Sequence, residues 1–177
     1  MDDKRIAWAI TGAGHFLREC VDTALNCERV DIFLSRAAEE VMQMYRLDEH
    51  ITVPKVRIYQ ETKSSSPQVV RLFIGEYRVL VIAPATSNTV AKFVYGISDT
   101  LVTNLFAQAG KSRIPVIVFP TDLAPEMNSR SPKGGNVKVY PRPIDLENTA
   151  RLSAFPGVTT VKSREELEQS LAGLFKN

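Results

Sequence analysis

The chain has few of the residues that staple, ligate or anchor a small protein. Its 177 residues include only two cysteines and two histidines. Cys20 and Cys27 form no CxxC pair and have no histidine cluster at ligand spacing, so a zinc module and a disulfide scaffold are excluded and buried free thiols are expected. No metal site is expected. No stretch approaches the roughly 20 apolar residues that cross a bilayer, and the charged start, residues 1–5, leads into only a short apolar run. We expect no membrane association and a cytoplasmic location. Lys and Arg number 22 against 20 Asp and Glu, a net charge of +2, and no basic run forms a stripe that tracks a phosphate backbone. Nucleic acid is therefore not an expected partner. No GxSxG elbow is present, which removes the usual setting of a serine nucleophile. Internal repeats, linkers and low-complexity segments are also missing.

What remains is an ordinary globular composition, 44% hydrophobic and 24% charged, long enough to bury a core without staples. We expect one domain over residues 1–177. Residues 5–11 (RIAWAIT) form an apolar run ending at Gly12, Ala13 and Gly14, and residues 15–25 carry apolar side chains at helical spacing. Residues 30–34 repeat the pattern, with Ser35 as the cap of a helix over 36–45. A third strand is expected at 56–59. A polar turn at 63–67 (KSSSP) follows, with Ser66 as cap and Pro67 at the first helical position.

A fourth strand starts at Val79 and is expected to break at Pro84, before Thr86, Ser87, Asn88 and Thr89 and two helical segments that stop at Gly110. Residues 115–120 (PVIVFP) read as a strand covered on both faces. Residues 121–143 are rich in Pro, Gly and small polar residues and read as a long loop, extended only over 137–140. A helix from Asp145, a strand at 158–161 and a helix capped by Ser163 and Glu166 close the chain. The alternation predicts an α/β protein: a three-layer α/β/α, doubly wound parallel sheet of the Rossmann or flavodoxin-like kind.

In such a sheet ligands sit outside the carboxyl ends of the strands, and polar residues collect at those ends here. Gly12 and Gly14 let backbone N–H groups approach an anion at the start of the first helix, although Leu17 replaces the third glycine of a dinucleotide fingerprint. A tight turn with no ligand is the alternative reading. Ser35 and Ser64, Ser65 and Ser66 fall at the ends of the next two strands, so three loops on one edge can surround a phosphate. Ser35 and Arg36 stand where a nicotinamide cofactor needs an acidic residue, which disfavours NAD and leaves a mononucleotide. FMN suits a site of hydroxyls, amides and backbone because it brings its own redox chemistry. Composition alone does not separate FMN from another phosphate ester. His15 lines the site or serves the helix start, or else acts as an acid or base. His50 reads as exposed. Thr86, Ser87 and Asn88 read either as ligand contacts or simply as helix caps, and Arg130, Lys133 and Arg142 as solvated loop charges or as contacts for an anionic substrate.

PATSNT, residues 84–89, resembles the PASANT motif of the flavoproteins that include the peptidyl-cysteine and phosphopantothenoylcysteine decarboxylases. Pro125, Glu126, Met127 and Asn128 are similar to the start of that family's PxMN clamp. Those decarboxylases carry an essential His in the turn where this chain has KSSSP, and their clamp continues differently from Ser129, Arg130, Ser131 and Pro132, so a cysteine decarboxylase-like flavoprotein is kept only as a third alternative, behind a reductase and an electron carrier. ITGAGHFLRE (10–19), PATSNTVAKFVYGISDTLVTN (84–104) and YPRPIDLENTARL (140–152) resemble the branch that holds dihydromethanopterin reductase and the archaeoflavoproteins. The resemblance implies bound FMN, reduction of a pterin substrate or electron transfer from a ferredoxin-type donor, and a homo-oligomer built from trimers. It implies that Gly12, Ala13, Gly14 and His15 line the flavin-phosphate side, with hydroxyls from Ser35, Ser64, Ser65 and Ser66. Ala83, Pro84, Ala85, Thr86, Ser87, Asn88 and Thr89 would border the flavin ring, with Asp99 and Thr103 shaping that boundary. No residue of the chain is assigned as catalytic.

Overall fold

The computed structural model describes residues 4–62 and 67–174. Ser64, Ser65 and Ser66 lie outside the described residues, as does the cap expected at Ser66. Six parallel strands form one sheet: β1 (Arg5–Ile10), β2 (Val30–Leu34), β3 (Arg57–Gln60), β4 (Tyr77–Ala85), β5 (Val116–Pro120) and a late strand, β8 (Val158–Thr160), in the order β3-β2-β1-β4-β5-β8. Between them run α1 (Leu17–Asn26), α2 (Arg36–Met44), the short α3 (Val70–Phe73), α4 (Ser87–Val94), α5 (Leu101–Lys111), α6 (Pro143–Leu152) and α7 (Arg164–Leu174). This is the doubly wound, flavodoxin-like arrangement that the βα alternation predicts.

Strand alternation builds two cores. Ile6, Trp8 and Ile10 of β1 face a layer made by α1, α2 and α7, through residues such as Leu17, Val21, Met42 and Leu167. Ala7 and Ala9 face the opposite layer, where α3, α4, α5 and α6 contribute Leu72, Val90, Leu105 and Leu152. Small side chains on that face of β1 let the second layer sit close. Trp8 is fully buried, and its indole donates to the Ala83 carbonyl at 2.9 Å, which removes the cost of an unpaired N–H.

Three expectations change. β4 does not break at Pro84 but continues to Ala85, which pairs with Pro120 after a register shift past Ile82. Proline has no N–H for the ladder, and the Pro84 carbonyl instead accepts from Thr11 of the neighbouring turn. Gly110 lies inside α5, which ends at Lys111 with Ser112 as its cap and Arg113 in the left-handed region at φ 54°. The segment 121–143 holds a second strand besides the extension expected over 137–140. β6 (Met127–Arg130) and β7 (Asn136–Val139) pair antiparallel, with Met127 opposite Val139 and Arg130 opposite Asn136. Gly134, at φ 89°, turns the ribbon, a conformation that glycine adopts without a side-chain clash.

Candidate functional site

The chain leaves β1 in one direction along the sheet, through β2 to β3, and then returns to β4 on the other side of β1. Loops from β1 and β4 therefore diverge at the switch point, the place where open α/β sheets form ligand crevices. Thr11 joins the two loops. Its backbone N–H and its hydroxyl both donate to the Pro84 carbonyl, at 3.2 and 2.9 Å, and its hydroxyl accepts from the Thr86 N–H at 2.9 Å. Thr86 then caps α4, accepting from the Thr89 N–H at 3.3 Å. The PATSNT turn is thus held by a buried side chain that sequence reading did not assign to the site.

Beside this joint lies an open cleft of about 480 Å³, within the size range of small-molecule and cofactor pockets. Gly12, Ser35, Thr86, Ser87, Asn88 and Thr89 line it, as the sequence led us to expect. So do Thr11, Arg36, Glu61, Lys92 and Thr100, which were not assigned to it. Ser35 caps α2 by accepting from the Ala38 N–H at 3.1 Å, which leaves its own hydroxyl proton free to be donated. Ser87 and Asn88 make no side-chain hydrogen bond within the described residues, and Asn88 is exposed to the cleft. Thr86 is thus a helix cap, while the Ser87 and Asn88 side chains stay uncommitted among the described residues.

Other expected positions lie elsewhere. Ala83 and Ala85 are fully buried in β4, and Ala13 is buried behind the turn. Gly12 serves packing as well as access, because a Cβ there would fall 2.5 Å from that of Ala37 in the first turn of α2. A Cβ on Gly14 would run into the Tyr45 hydroxyl and ring. That hydroxyl donates to the Arg130 carbonyl at 2.8 Å and ties the β6–β7 ribbon to the end of α2. Thr103 is taken up in a reciprocal cap with Thr100 at the start of α5, and Asp99 pairs with Lys92. The Lys92 ammonium holds the Asp99 carboxyl below the usual carboxylate range.

His15 does not line the cleft. Its ring packs against Phe16, which stacks on Phe119 of β5, and its Nε2 is buried with no hydrogen-bond partner among the described residues. Burial lowers its pKa, and the charges of Glu19 and Asp122 offset only part of that effect, so the imidazole is neutral near pH 7. The Asp122 loop leads to the ribbon, where Met127 accepts from the Leu123 N–H through its sulfur. The described residues hold no cluster of His, Cys, Asp or Glu able to bind a metal ion, and no helix among them is long and apolar enough to cross a membrane.

Comparison with known proteins agrees with the fold. The flavoprotein family model matches residues 1–173. An uncharacterised protein of Methanocaldococcus jannaschii is 36% identical over 172 residues, covering 93% of this chain and 92% of the relative. Dihydromethanopterin reductase (acceptor) of Methanosarcina mazei is 41% identical across 75% of this chain, and the match spans only 61% of that protein's length. Among solved structures, DmrB of Burkholderia xenovorans in complex with FMN, described as a cubic protein cage for redox transfer, superposes with a TM-score of 0.88. It is 43% identical, with 99% of this chain and 97% of that one covered. Fold, switch-point cleft and sequence together lead to one assignment: the chain belongs to the flavoprotein family.

Proposed function

We propose that the chain is an FMN-dependent reductase that takes electrons from a separate donor and delivers them to dihydromethanopterin or a similar pterin. The observation that carries the reading is the Thr11-anchored cleft at the switch point, lined by uncommitted hydroxyl and amide groups, in a chain similar to FMN-bound DmrB and to dihydromethanopterin reductase. The residues fit the cofactor. Gly12 and the free Ser35 proton would hold the phosphate, while Ser87, Asn88 and Thr89 would border the ring. FMN, when bound, supplies the electron-transfer chemistry.

The protein's own part is to bind and orient. Thr11 and Thr86 fix the first turn of α4, so that Ser87 and Asn88 present their side chains to the cleft. The β6–β7 ribbon, tethered through Tyr45, would cover the reacting edge and limit water, with the pterin beneath it. A ferredoxin-type protein would be the donor. The free thiols at Cys20 and Cys27 fit a reducing, cytoplasmic setting. Exposed Tyr95, Ile97, Tyr140 and Ile144, near the packed α4 and α6, offer apolar surface for a homo-oligomer built from trimers.

The test is anaerobic. Purified protein should show a flavin spectrum and release FMN, and the reduced form should be reoxidised rapidly by a dihydropterin in stopped flow. Reoxidation by ferredoxin alone would replace the reductase with an electron carrier. Colourless protein that takes up no FMN would end both readings.

A further inference from the structure

Glu61 follows β3 directly and reaches across the carboxyl edge of the sheet. Its Oε2 accepts from the Arg36 N–H at 3.0 Å and its Oε1 from the Leu101 N–H at 2.6 Å. Arg36 and Leu101 are the first residues of α2 and α5, helices that pack on opposite faces of the sheet. One carboxylate therefore sits where two helix N-termini converge, at the β2–β3 side of the cleft whose wall it forms. Unpaired N–H groups and the positive ends of two helix dipoles make this a favourable seat for an anion, and the chain fills it with its own.

The position matters because of the strand order. When a sheet wound 3-2-1-4-5 binds a dinucleotide, the pyrophosphate crosses the switch point and the adenosine ribose lies over the end of β2. Here the end of β2 is Leu34, followed by Ser35 and Arg36, and the Arg36 N–H is already bound by Glu61. We infer that Glu61 is the residue that keeps this cleft a mononucleotide site, excluding the second phosphate and adenosine of FAD by charge and by occupancy. This deepens the FMN reading and rests on it for the choice of flavin, while the occupied anion seat can be tested without any flavin.

The experiment titrates FMN and FAD by fluorescence and ADP by calorimetry into the full chain, as wild type, Glu61→Gln and Glu61→Ala, with circular dichroism to confirm folding. Glutamine keeps the bulk and loses the charge, whereas alanine loses both. The wild type should prefer FMN to FAD and give no heat with ADP. Because hydrogen bonds to a charged group are strong, both variants should narrow the FMN-to-FAD ratio by about tenfold or more, and Glu61→Ala should gain ADP binding. Folded variants that keep the wild-type ratio and ignore ADP would overturn the inference, as would two unfolded variants, which would make Glu61 only a clamp between layers. Equal uptake of FMN and FAD by the wild type would also overturn it and leave the FMN reading standing. ADP binding gained by Glu61→Ala in a chain that takes up no flavin would do the reverse.

Discussion

Thr11 does with one buried hydroxyl what the visible motifs cannot do alone. It satisfies Pro84 and Thr86, 73 and 75 residues away, so no local pattern marks it as part of the site. Thr11→Val keeps the shape and leaves the Thr86 N–H without its acceptor. We expect a loss of about 1–3 kcal/mol in urea unfolding and weaker FMN uptake; wild-type stability would show that the two loops are not joined through this residue. Gly12 was legible, but for half of its reason. Its position after a strand indicated close approach to an anion, whereas the contact with Ala37 belongs to helix packing. Gly12→Ala should cost about 1–3 kcal/mol by overpacking, read as a drop in the unfolding midpoint even with no flavin present.

Elements with a strong period were readable, and of the ribbon paired across a turn only one strand was. β5 is a continuous apolar run, as is β1 after Arg5, and β2 is apolar apart from Asp31; the structure buries nearly every residue in them. β7 matches the extension expected over 137–140, whereas β6 was not expected, and its pairing with β7 follows from the turn at Gly134. Replacing residues 128–138 with a short flexible linker should leave the unfolding midpoint nearly unchanged, because the ribbon adds little to either core, and should reduce pterin turnover without preventing FMN binding. Equal turnover would remove the ribbon from the reaction. At the start of α6, the buried Asp145 accepts from the Arg142 N–H and guanidinium, and those bonds hold its carboxyl below the usual range. As the pH falls, the unfolded chain protonates this group first. The stability it contributes is complete above the unfolded value of about 3.9 and is lost as the pH drops through the lower folded value. Asp145→Asn should flatten that part of the acid-unfolding curve, and an unchanged slope would assign the acid response to other groups.

At the scale of the molecule, the fold class followed from alternation, but the strand order did not, because periodicity carries no information about which strands are neighbours. The exposed apolar side chains beyond the end of α4 and at the start of α6 were equally hidden, since an isolated Tyr or Ile in a sequence does not show which others lie near it. A Tyr140→Glu, Ile144→Glu double variant should shift light-scattering mass from an assembly to the monomer while keeping the circular dichroism spectrum; an unchanged mass would place the interface elsewhere. The opposite edge of the sheet is built differently. There Asp31, fully buried, accepts from Arg5 and from the Tyr77 hydroxyl, both at 2.7 Å, so the starts of β1, β2 and β4 are drawn together, with Arg57 of β3 alongside at 3.8 Å. One end of each central strand is thus pinned by ionic and hydroxyl contacts, and the other opens into loops. Amide hydrogen exchange should therefore proceed as a gradient along β1 and β4, slowest beside Asp31 and fastest toward the loops beyond Thr11 and Thr86.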